Sequence, residues 1–288
     1  MTIPLRWQGI LVLGSVVAPF FLWATGETSP LIDSRSIIIY VAVFFGSVVV
    51  GAAGFGSAAV GGAIMLFWLV PVSAVPILNS ASFTTQLISV SQLWKSLQWR
   101  GCLPLVVGGL IGMPMGVLLL QRANPDAFKL AFGMFLFCWS GYLLLRPHLQ
   151  LQRKGPLADA VAGLTGGITG GAVAFPGALP AIWCSLTRGT KEEQRGTIQA
   201  FILVVQFCTL AFLAAKGIVG LGFISDYIKM LPAILMGTFV GVHLFTKMDH
   251  ALFRRLILLI LLIAGATHVV HAGVDFLVTT HFFGLPAT

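Results

Sequence analysis

GAAGFGSAAVGG, residues 51–62, holds five glycines in twelve residues and lies inside an uncharged apolar run, residues 37–70. A glycine in a helix interior costs about 1 kcal/mol relative to alanine, so the cluster predicts a break in whatever helix the run forms. As one straight helix the run would be about 51 Å long, whereas a hydrocarbon core is about 30 Å thick. The segment therefore either tilts steeply through a bilayer or turns round inside it.

The rest of the chain places it in lipid. Of 288 residues, 57% are hydrophobic and only 9% charged, against about 25% charged in a typical soluble domain. The nine acidic residues fall in or beside the gaps between apolar runs. The class is an all-α polytopic membrane protein, and the net charge of +8 reflects topology, with no nucleic acid as partner. Cys102, Cys138, Cys184 and Cys208 lie in or at the ends of apolar runs without metal spacing, and read as small buried hydrophobes with no disulfide. The apolar runs are residues 7–23, 37–70, 75–93, 103–120, 128–145, 157–186, 198–215, 228–245 and 252–270. The first has some features of a signal peptide, but its length favours a retained helix.

Lysine and arginine choose between tilt and turn, because cytoplasmic loops collect them. With each glycine-broken segment crossing once and the N-terminus inside, nine basic residues fall inside and eight outside. With each folding back as a re-entrant hairpin, twelve fall inside and only Arg35, Arg122, Lys129, Lys216 and Lys229 outside. The hairpin arrangement, with the N-terminus cytoplasmic, is the one expected.

The two halves repeat. GAAGFGSAAVGG opens one and GLTGGITGGAVAFPGALP, residues 163–180, the other. Each is followed by amides seven residues apart, Asn79 and Gln86 then Gln199 and Gln206, and by a Gly-x-x-x-Gly pair, Gly112/Gly116 then Gly237/Gly241. QRANPDAFKL and TKMDHALFRR then lead into the last apolar run of each half. A hairpin plus three crossings is an odd number, so the second repeat enters from the opposite face: inverted repeats, as in many secondary transporters. The expected organisation is an N-terminal helix and outer loop (1–36), a first repeat (37–145), a basic cytoplasmic linker (146–156), a second repeat (157–272) and a tail (273–288).

Backbone that leaves the helix at membrane depth must be buried in protein or line a cavity. Two tips entering from opposite faces would meet near the midplane, and a helix restarting after a break aims N–H groups at an anion. The candidate substrate-binding residues are Gly54, Gly56, Ser57, Asn79, Gln86, Thr165, Gly166, Thr169, Gly170, Gln199 and Gln206. Neutral amides and hydroxyls hold a small oxyanion without a buried lysine or arginine; the competing role for the amides is to staple helices together. The Gly-x-x-x-Gly pairs read as close-packing sites.

In these residues the chain resembles the sulfite exporter TauE/SafE group, also described as 4-toluene sulfonate uptake permeases. The Gly-rich opening of each half and the short basic loop before each last helix carry the resemblance, which spans residues 37 to about 270. It implies transport of sulfite, sulfoacetate or related organosulfonates across the bacterial inner membrane. An anion-selective channel, which also uses Gly-rich re-entrant loops, and a carrier of a small carboxylate stay open as alternatives. A membrane enzyme would need a nucleophile with its base or a metal cluster, and the sequence shows neither. His268 and His271 read as an interfacial pair, and no cofactor or metal is expected. Proton or ion coupling and homo-oligomer formation are left open.

Overall fold

A run of apolar residues in lipid satisfies its backbone only as helix, and helix is what these runs form. The computed structural model describes residues 34–54, 56–93, 97, 99–145, 155–187, 190–247, 255, 258–259 and 261–271. Among them the regular structure is entirely α-helical: α1 Ser34–Ala53, α2 Ser57–Met65, α3 Pro71–Leu93, α4 Trp99–Arg122, α5 Pro125–Leu145, α6 Pro156–Val173, α7 Ala178–Thr187, α8 Lys191–Ala215, α9 Leu221–Lys247 and α10 Leu261–His271. The expected first helix, the linker except residues 155–156, and the C-terminal tail lie outside the described residues. Among the described residues four stretches are long and apolar enough to cross a membrane: Gly101–Arg122, Pro125–Leu145, Glu193–Ala215 and Gly222–Leu244. Large apolar side chains such as Leu103, Ile111, Leu119 and Phe207 stay exposed on their outer faces, as lipid requires. The protein is an all-α, multi-pass membrane protein.

Both Gly-rich segments break and double back. Gly46 of α1 abuts the backbone of Ser57, and Gly61 of α2 abuts the Ala42 carbonyl. Rising numbers in one arm meet falling numbers in the other, so α2 runs back along α1. Likewise Gly166 of α6 abuts the Pro176 carbonyl and the Pro180 ring at the start of α7. The second break falls later than the glycine count predicts. Gly166 and Gly170 stay helical, and α6 ends at Val173 with Ala174 in the left-handed region (φ 56°), where the Ala174 N–H bonds to the Gly170 carbonyl and the Phe175 N–H to that of Thr169. Pro176 explains the position: it has no N–H to donate, and its ring disfavours helical backbone at Phe175.

Glycines set the closest helix pairs. α4 and α6 run parallel in backbone contact: Gly108, Gly112 and Gly116 abut Ala160, Leu164 and Ile168, while Gly163, Gly167 and Gly171 abut Leu105, Gly109 and Met113. α1 and α9 pair in the same parallel sense, with Gly237 and Gly241 on the Phe44 and Val48 carbonyls and Gly51 on Thr238. In lipid, where apolar contact with tails is no worse than with protein, such approach is what drives helices together. Between these pairs, α3 and α8 cross antiparallel, because Asn79 reaches Gln206 while Gln86 reaches Gln199.

Candidate functional site

Two glycines make the first tip. Gly54 (φ 84°) and Gly56 (φ 103°) take left-handed backbone between α1 and α2, a conformation that costs other L-residues about 1–2 kcal/mol. A Cβ on Gly56 would stand 3.6 Å from Val49 and 4.0 Å from the Phe175 ring. Phe175 belongs to the second break, so the two tips meet. Ser57 opens α2, and its hydroxyl is buried without a hydrogen-bond partner. The first N–H groups of α2 add the positive end of the helix dipole.

The four amides separate into two roles. Asn79 Nδ2 donates to the Gln206 carbonyl at 3.3 Å, Gln86 Nε2 to the Gln199 carbonyl at 3.4 Å, and Gln206 Nε2 to Ser82 Oγ at 2.6 Å. These three spend a donor on joining α3 to α8. Asn79 Oδ1 and Gln206 Oε1 have no partner, and each of these two amides keeps one further N–H after its interhelical bond. Gln199 differs. It is 2% exposed, neither Nε2 nor Oε1 has a partner, and a Cβ on Gly54 would stand 2.9 Å from its Nε2. It presents a buried donor at the tip of the first hairpin.

The second hairpin's residues lie elsewhere. Thr165 donates to the Ala162 carbonyl at 2.8 Å, and Thr169 to those of Thr165 and Gly166, so both hydroxyl protons are held by their own helix. Gly166 and Gly170 are filled by Pro176, Pro180, Phe201 and Val205, which makes them the seat of α7 and α8 on α6.

One cationic side chain near this tip escapes the sequence reading. Arg195 is counted there as a loop charge, because the apolar run begins at residue 198. In the structure α8 starts at Lys191, with Thr190 capping it by accepting from the Glu193 N–H at 3.1 Å. That puts Arg195 one turn before Gln199 on the same face, and its Nη2 stands 4.0 Å from the Gly54 Cβ position. The Thr-x-x-Glu capping pattern at residues 190–193 is the signal that would have found it.

Among the described residues no group of three histidines, cysteines or carboxylates could hold a metal. His268 is buried, its Nε2 3.0 Å from the Ala63 carbonyl and its ring stacked on Phe67, which ties α10 to α2. Asp159 is an acidic group inside the fold: it is buried in the first turn of α6 and accepts from Trp183 Nε1 of α7 at 2.7 Å.

The family model for the sulfite exporter TauE/SafE matches residues 39–267, from α1 into α10. The chain belongs to this family. No curated protein and no solved structure gives a significant match. TauE/SafE membership makes the chain a membrane transporter and gives sulfur anions as its class of cargo.

Proposed function

We propose that this TauE/SafE protein is a secondary transporter that carries sulfite, sulfoacetate or a related organosulfonate across the bacterial inner membrane by alternating access. The observation that carries the reading is Gln199: a buried amide with no partner at either end, held against the backbone of a glycine hinge. A buried amide costs several kcal/mol unless something bonds to it, and a substrate oxyanion is the partner that a family of sulfur-anion transporters supplies. Gly54 and Gly56 keep the approach open to oxygen atoms, Ser57 donates beside them, and Asn79, Gln86 and Gln206 hold the α3–α8 seam on which Gln199 stands.

The packing fits two inverted repeats. Each half is a hairpin and three helices, and the hairpin arm of each lies parallel to the Gly-x-x-x-Gly helix of the other, α6 on α4 and α1 on α9. The corresponding helices α3 and α8 are antiparallel, as inversion demands. The two glycine-stitched pairs act as the rigid bodies that rock about the α3–α8 seam and open the tips to one face at a time. The N-terminus is cytoplasmic in this scheme.

Counterflow in proteoliposomes tests it. Vesicles loaded with unlabelled sulfite should transiently concentrate labelled sulfite from outside, with a rate that saturates. Flux that never saturates and shows no counterflow would make the protein an anion channel, and counterflow with a small carboxylate but no sulfur anion would change the cargo.

A further inference from the structure

We infer that Arg195 is the charged anchor of the anion, which therefore binds against the tip of the first hairpin and not on the axis between the two halves; this rests on the transporter reading above. Arg195 and Gln199 form one face of α8, and both approach Gly54, Gln199 Nε2 to 2.9 Å and Arg195 Nη2 to 4.0 Å of the same Cβ position. Gln199 is buried whereas Arg195 is exposed, so the cation stands at the mouth of the site and the neutral donor inside it. The ion pair seen among the described residues joins Lys229 and Asp226 and does not involve Arg195.

The other half has no equivalent. The residue one turn before Asn79 is Val75, apolar and only 1% exposed, and the Asn79 amide donates to the α8 backbone. The second tip is instead sealed by Phe175, on which Trp139 packs edge-on at 5.0 Å while donating to the Ala178 carbonyl. The donors at or beside the first break are the Arg195 guanidinium and Gln199 Nε2 at Gly54, and the Ser57 hydroxyl and first N–H groups of α2 that follow it. A guanidinium offers two parallel N–H groups to two oxygens of one head group, which suits a sulfur centre bearing three oxygens.

The test is a calorimetric titration of the purified full-length protein with sulfite, at low and high ionic strength, beside melting curves without ligand. Arg195→Gln should weaken binding by about tenfold to a hundredfold and flatten its salt dependence, with the melting temperature unchanged. Arg195→Lys should keep the salt dependence and bind with intermediate affinity, because charge remains and the planar fork is lost. Lys216→Gln, at the other end of α8, should bind as wild type does. Wild-type affinity in Arg195→Gln, or an equal loss in Lys216→Gln, overturns the anchor. If Arg195→Gln does not fold, Arg195→Lys decides, and undiminished affinity there overturns it. Wild-type protein that binds neither sulfite nor sulfoacetate overturns the sulfur-anion reading itself.

Discussion

At the scale of single residues, the site turns on what each amide does with its N–H. Gln199→Leu removes an unpartnered donor from the tip and should weaken sulfite binding by about tenfold to a hundredfold, since a hydrogen bond to a charged group is worth about 1.5–3 kcal/mol. Asn79→Leu removes a bond between α3 and α8, and should lower the melting temperature while affecting affinity far less. Titrations and melting curves on the two variants side by side check the contrast; equal losses of affinity would make Asn79 a ligand of the anion as well. Gly54→Ala should act like Gln199→Leu, because its methyl would push the Gln199 amide aside and strain a left-handed residue. The sequence made all four amides legible as pairs on one helix face, but a pair spaced seven apart looks the same whether it binds a ligand or a neighbouring backbone. Arg195 was hidden for a different reason. The apolar run marks where lipid begins, and the helix begins two turns earlier.

At the scale of elements, the glycines divide by row. On α6, Gly163, Gly167 and Gly171 face α4, whereas Gly166 and Gly170 face α7 and α8. Composition shows a dense cluster and predicts a break within it; the rows show a helix that needs small residues on two sides, broken only where Pro176 enters. The first break was legible because Gly54 and Gly56 serve the turn itself. Gly112→Val or Gly167→Val would drive a side chain into the backbone of the partner helix. Overpacking a tight contact costs about 1–3 kcal/mol or more, and here a backbone cannot rotate away. Both variants should lose most of their monodisperse protein in size-exclusion chromatography or melt much lower. Gly220→Ala, where a Cβ meets nothing within 4 Å, should behave as wild type. Tolerance of valine at both positions would mean that α4 and α6 do not pack this closely.

For the whole molecule, the decisive relations are directions. α2 returns along α1, α6 runs parallel to α4, α1 parallel to α9, and α3 antiparallel to α8. Put the start of α8 on one face and the rest follows: α3 ends and α4 begins on that face, while the α2–α3 turn and the α4–α5 turn lie on the other. We propose that the face with the start of α8 is cytoplasmic, following the sequence expectation of twelve lysines and arginines inside against five outside. Cysteine labelling in intact cells tests this, with the four native cysteines replaced by alanine. Trp68 and Asn124 are exposed at the two outer turns, and Thr190 is exposed just before α8. Trp68→Cys and Asn124→Cys should react with a membrane-impermeant maleimide from outside. Thr190→Cys should react only after the cells are opened. Labelling of Trp68→Cys from the same side as Thr190→Cys would place the two ends of α3 on the wrong faces, because a first segment that crossed once would carry the α2–α3 turn to the cytoplasm. The glycine break at residues 54–56 would then be a kink in a spanning helix, and the inverted arrangement that brings a hairpin tip to Gln199 would have to be abandoned.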